Sequence, residues 1–328
     1  MKIKKDFTTG IIIGCFIGAS IFYSITLDRN NKTAEQIRLG LEGFVNPLVA
    51  CNSNDVTVGK YKKLKNELGS RIEEMTDKGI VNDMSIYFRD LNSTEWIVIN
   101  ENKPYVAASL AKVPVMVAYY KIAEFNPEIL KKKLLFNSDI DLNEKEVYRP
   151  STSLEKGKYY SVEELINRMI VNSGNNSFQL LLENLNKDIL VKIYLDLDLS
   201  IPSNEIKNLI SPKSFSTLWR ALYNASYLDK EYSNKALGLL IESDFKSGIV
   251  SRIPHDISVA HKFGERTEVK PDNSISLRQL HDCGIVYYPN HPYFLCIMTE
   301  GSQFSQLEEA IQTASYSIYQ YVAKQYTK

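Results

Sequence analysis

Strand-like segments stand near the two ends of this chain and not between them, which restricts the folds open to it. Residues 84–89 and 95–100 read as two strands joined by the turn Asp90-Leu91-Asn92-Ser93. Far downstream, 257–264 alternates, 282–288 is rich in β-formers, and 293–299 follows across Pro289-Asn290-His291-Pro292. Turns this short join antiparallel neighbours. The long middle is mostly helical. Ser161 with Glu164 is a capping-box pattern, and Leu165, Met169 and Ile170 form an apolar stripe behind it. Residues 215–227 and 234–241 also read as helices. One helix, 61–75, precedes the strands and ends towards Gly79. Another closes the chain, with Leu307, Ala310, Ile311, Ala314, Ile318, Tyr321 and Val322 on one face. The expected fold is of the α/β (α+β) class: one antiparallel sheet flanked by the N- and C-terminal helices, plus an all-helical lobe.

The N-terminus follows other rules. Residues 8–27 carry no charge and are long enough to cross a bilayer as a helix. Lys2, Lys4 and Lys5 precede them, which favours the N-terminus inside and the remainder outside. A cleaved signal peptide and a lipoprotein box at Ile12-Ile13-Gly14-Cys15 are the competing readings, and all three export the chain. The expected organisation is a cytoplasmic stub and anchor over 1–27, a polar stalk over 28–58 and a single domain over 59–328. Export permits disulfides. Cys283 and Cys296 flank a turn, but their register is not readable, and the reading favours two buried free thiols. Lysine plus arginine equals aspartate plus glutamate, so the net charge is zero, which argues against a nucleic-acid partner. No histidine has zinc-ligand spacing, and neither metal nor organic cofactor is expected.

Three short motifs carry chemistry. Ser-x-x-Lys occurs at Ser109/Lys112, Ser153/Lys156 and Ser243/Lys246, so the letters alone decide nothing. Only Ser109 opens a strongly apolar helix, within VAASLAKVPVMV. There a buried lysine would tend to lose its proton and could activate the serine. The plainer reading is an N-cap serine with a snorkelling lysine. Ser-x-Asn occurs once, at Ser173-Gly174-Asn175. It could relay a proton and hold a substrate amide, or simply be an inter-helix turn. Lys-x-Gly has two candidates. Lys246-Ser247-Gly248 reads as a helix-ending turn. Lys262-Phe263-Gly264 ends an alternating strand, where glycine permits close approach, and is preferred.

In this order the three motifs resemble the signature of the class A β-lactamase-like serine hydrolases, within the superfamily of β-lactamases and penicillin-binding proteins. The similarity runs over about residues 60–328. It includes the opening MSIYFRDLNSTEWIVINENKPYVAASLAKVPVM, the segment ELINRMIVNSGNNSFQLLL and the closing CIMTEGS. The resemblance implies that Ser109 is the acylated nucleophile, Lys112 its base, and Ser173 the proton carrier to the leaving nitrogen. It implies that Asn175 and Lys262 bind substrate, that Gly264 lets it approach, and that Ser109 and Glu265 supply oxyanion-hole N–H groups. The substrate it implies is a β-lactam or a peptidoglycan stem peptide.

Three departures stand out. The region matching the Ω-loop, YLDLDLSIPSNEIKNLISPKSF, looks short, and Glu205 with Asn208 is only a misspaced candidate for activating the deacylating water. Asp196 and Asp198 suit a structural turn. Phe263 stands where a hydroxyl residue is usual, with Arg266 a possible substitute cation, and Gly174 stands where an aspartate is usual. The expected function is a membrane-anchored acyl-serine hydrolase with an extracytoplasmic catalytic domain. The alternatives are a DD-peptidase or transpeptidase-like enzyme, a non-catalytic cell-wall-binding relative, and a structural envelope protein.

Overall fold

The computed structural model describes residues 35–38, 40–52, 59–93, 95–100, 103–201 and 208–326. The anchor segment and Glu205 lie outside them. Among the described residues no helix is long and apolar enough to cross a membrane.

Three of the strands expected from sequence come from the end of the chain and two from its beginning, and they form one five-stranded antiparallel sheet. In chain order the main-sheet strands are β3 (Asp83–Asp90), β4 (Trp96–Ile99), β9 (Val259–Val269), β10 (Ile275–Val286) and β11 (Tyr293–Gly301). Their order across the sheet is β4-β3-β11-β10-β9, so the first hairpin pairs with the last strand. The remaining strands form three two-stranded pairs: β1 (Glu35–Arg38) with β2 (Leu48–Asn52), β5 (Tyr105–Val106) with β8 (Leu209–Ile210), and β6 (Lys133–Phe136) with β7 (Lys158–Ser161). These short pairs carry too few residues to show a period in the sequence.

Alternation along the strands divides two apolar clusters between the two faces of the sheet. On one face Met84, Ile86, Phe88, Leu280, Leu295 and Ile297 meet α1 (Lys62–Asp77) and α8 (Phe304–Tyr326). Leu64, Leu68 and Ile72 of α1 and Leu307, Ile311 and Ile318 of α8 supply the helical side. On the other face Tyr87, Cys283, Ile285, Phe294, Cys296 and Met298 meet the helical lobe. That lobe contains α2 (Lys112–Ala123), α3 (Val162–Val171), α4 (Asn175–Glu183), α5 (Lys187–Asp196), α6 (Pro212–Tyr223) and α7 (Lys230–Ile241). Helix α2 is apolar all round and is buried from Lys112 to Tyr120, as a helix crossing the middle of a lobe must be. Ser161 caps α3 through the N–H of Glu164, as its pattern predicts.

Two findings differ from the sequence reading. Cys283 and Cys296 form a disulfide rather than two free thiols, because the β10–β11 register sets them directly opposite each other. Part of the segment read as a stalk is folded onto the domain. Val45 is fully buried in the lobe cluster, the Asn46 N–H donates to Tyr223 O at 2.8 Å, and Tyr287 Oη donates to Phe44 O at 3.0 Å.

Candidate active site

The three motifs meet where the lobe faces β9. Ser109 lies on a short 3-10 turn, Ala108–Ala111, that leads directly into α2. It is not a helix cap, since neither that turn nor α2 has a side-chain cap bond. Ala108, just before it, has φ +47°, a left-handed conformation uncommon for a residue other than glycine. Gly264 allows the turn to sit this close to β9. A Cβ there would stand 3.1 Å from Ala107 O and 3.2 Å from Ser109 N. Ser173 links α3 to α4 with φ +57°, a costly backbone state for a non-glycine residue and one that recurs at functional sites. Asn175 begins α4.

Lys112 is the hub. Its side chain is 1% exposed. Nζ lies 2.8 Å from Ser109 Oγ, 2.6 Å from Ser173 O, 2.6 Å from Asn175 Oδ1 and 3.2 Å from Ser173 Oγ. Burial, and then the nearby charge of Lys262, hold its pKa well below the ordinary lysine value, against the opposing pull of Glu146 and Glu265. A neutral amine has two hydrogens and one lone pair. Ser173 O and Asn175 Oδ1 can only accept, so they engage the two hydrogens. The lone pair is then free for the Ser109 hydroxyl, which is the arrangement a general base needs.

Lys262 lies on β9, fully buried, and its Nζ donates to Ser173 Oγ at 2.8 Å and to Phe263 O at 3.2 Å. Burial lowers its pKa to about 7, with Asp282 and Asp244 opposing the shift. Asp282 is itself held by the Ile249 N–H at 2.8 Å and stands 3.0 Å from His261 Nδ1. Gly248 makes that possible, since a Cβ there would overlap Asp282 Oδ2 at 1.9 Å. The Lys246-Ser247-Gly248 motif is therefore a support beneath Lys262. The other two Ser-x-x-Lys pairs are apart from the site: Lys246 donates to Ser243 O, and Lys156 pairs with Asp139 on the surface. Arg266 pairs with Glu268 at 3.1 Å.

The sequence reading missed the loop that closes one side of the site. Asn143 Oδ1 accepts from the Asn175 N–H at 2.8 Å, and Glu146 Oε1 accepts from Asn175 Nδ2 at 2.9 Å. Glu265, expected to contribute only its backbone, also works through its carboxylate. It accepts from the N–H groups of Val147 at 3.1 Å and Tyr148 at 2.8 Å. Burial, with Glu146 beside it, raises the Glu265 pKa to about 7. In sequence this loop is an unpatterned run of polar residues, and nothing in it marks Glu146. Among the described residues no group of three or more histidine, cysteine, aspartate or glutamate side chains is placed to hold a metal.

The profile of the Beta-lactamase enzyme family matches residues 67–322. The chain belongs to that family. Among solved structures it is similar to PBP-A, with a TM-score of 0.66, 20% identity, and coverage of 79% of this chain and 96% of that one. A mutant of PBP-A, solved as an acyl-enzyme complex with penicillin G, matches with the same score and identity over 79% and 97% of the two chains. A β-lactamase from Francisella tularensis matches with a TM-score of 0.65, 22% identity, and coverage of 79% and 100%. No curated protein matches the sequence. These likenesses give the chain the β-lactamase fold expected from its sequence, an antiparallel sheet with helices on it and a helical lobe.

Proposed function

We propose that the protein is an acyl-serine hydrolase that opens the amide bond of β-lactams, with peptidoglycan stem peptides as the alternative substrate. The observation that carries this reading is the hydrogen-bond set of Lys112, which, once the amine is neutral, leaves a lone pair for the Ser109 hydroxyl. Ser109 Oγ attacks the carbonyl carbon as its proton passes to Lys112 Nζ. The carbonyl oxygen takes negative charge, and the N–H groups of Ser109 and Glu265 are its expected donors. The carbon–nitrogen bond then breaks. The leaving nitrogen takes the Ser173 Oγ proton, which Lys112 replaces across 3.2 Å. Lys262 steadies the Ser173 alkoxide character during that transfer. Water or an amine resolves the resulting ester, and Glu205 remains the candidate to activate a water. Residues 8–27 would hold this domain outside the cytoplasm.

Mixing the protein with a reporter penicillin and following intact mass over time tests the reading, with Ser109→Ala as control. A stable adduct on Ser109 means a penicillin-binding enzyme with slow deacylation. A fleeting adduct with hydrolysed drug means a β-lactamase. No adduct on the wild-type protein would count against β-lactams as substrates.

A further inference from the structure

In the family pattern the Asn175 amide is the donor that meets the acyl side of a substrate. Here both of its N–H groups are already engaged by the loop, by Leu142 O at 3.2 Å and Glu146 Oε1 at 2.9 Å. The group that an incoming acyl side chain meets is therefore the half-buried Glu146 carboxylate. The loop bearing it is fastened on both sides, through Asn143 to the Asn175 N–H and through Val147 and Tyr148 to Glu265. Displacing Glu146 would strain contacts on either side of it.

The two cations of the β9 wall, Lys262 and Arg266, are already engaged. Lys262 is fully buried and donates to Ser173 and to Phe263 O. Phe263 offers no donor side chain. Its ring stacks on Phe245 with centroids 4.0 Å apart and meets the edge of Tyr148. Arg266 is paired with Glu268. The β9 side of the cleft thus offers Glu265, with Glu146 beside it, rather than a free cation.

We infer that this site selects amide substrates carrying an ammonium or comparable cationic donor on the acyl side of the scissile bond, next to Glu146, and discriminates against those carrying a carboxylate there. The inference rests on the acyl-serine reading. An ammonium would form a charge-assisted hydrogen bond with Glu146 in a partly desolvated cleft. A carboxylate would stand beside Glu146 and Glu265, two acids on that side of the cleft.

Three penicillins with one nucleus make the test. They differ at the carbon next to the side-chain carbonyl, which bears an ammonium in ampicillin, hydrogen in benzylpenicillin and a carboxylate in carbenicillin. The rate of adduct formation on Ser109 is read by intact mass on the full chain. The expected order is ampicillin, then benzylpenicillin, then carbenicillin, with roughly tenfold between steps, the size of one charge-assisted contact. Glu146→Gln should compress the whole series to within about threefold, since a neutral amide keeps the hydrogen bond but loses the charge. Equal rates in the wild-type protein, or the reverse order, would overturn the inference while leaving the acyl-serine reading intact. So would an order that survives in Glu146→Gln. Should that variant not fold, the wild-type order alone decides. No adduct with any of the three would remove the β-lactam reading and the inference together.

Discussion

At the scale of single residues, burial sets the behaviour of Lys112, Lys262 and Glu265. Lys112→Met should lower acylation by about 10²–10⁴-fold, the usual contribution of a general base, read as adduct formation on Ser109. The same variant should melt no lower than the wild type, because an apolar chain of similar length suits a fully buried position. Lys262 and Glu265 make a linked prediction about pH. Glu265 is raised from 4.5 to about 7, so it binds more protons folded than unfolded, and its contribution to stability is lost as pH rises between those values. Lys262 is lowered from 10.5 to about 7, so its contribution is lost as pH falls through that window. Together they favour a dip in stability near pH 7. Melting temperature against pH should lose its acid-side fall in Glu265→Gln, and an unchanged slope would refute the assignment. Gly264→Ala presses a methyl group to 3.2 Å from Ser109 N, so acylation should fall by tenfold or more in a protein that still folds. Ser109, Lys112, Ser173, Asn175 and Lys262 were legible because fixed spacings bind them into motifs. Glu146 was not, because its partners are distant in sequence and the loop has no period. Phe263 was legible as an oddity, but its stacking on Phe245 needed the fold.

At the scale of elements, period and turn chemistry made the sheet and its flanking helices readable. Strands β3, β4, β9, β10 and β11 alternate or run long enough to show. What did not show was register. A one-residue slip in the β10–β11 hairpin would separate Cys283 from Cys296, and nothing local in the sequence excludes such a slip. In the structure the pair stands beside Lys262 in register, so the cross-link joins the strand next to the Lys262 strand to its other neighbour. Replacing both cysteines by alanine should cost about 3 kcal/mol, the loop-closure value for a separation of 13 residues, measured by denaturant unfolding. Similar stability in oxidised and reduced protein would refute this.

At the scale of the molecule, the boundary between stalk and domain moves towards the N-terminus. A fragment starting at residue 59 lacks Val45, Phe44 and the bond from Asn46 to Tyr223, and it exposes the lobe surface that they cover. It should melt several degrees below a fragment starting at residue 35, as the loss of one buried aliphatic side chain and a few hydrogen bonds would produce. Equal melting would mean the hairpin adds nothing. The sheet order has a separate consequence for biosynthesis. Because β3 pairs with β11, the first hairpin has no main-sheet neighbour until almost the whole chain has been made. Ser109 emerges early, whereas β9 and its Lys262 emerge late. A ribosome therefore delivers Ser109 and Lys112 long before the β9 side of the site. The Ser109, Lys112, Ser173 and Lys262 set is complete only when the two ends of the chain have met.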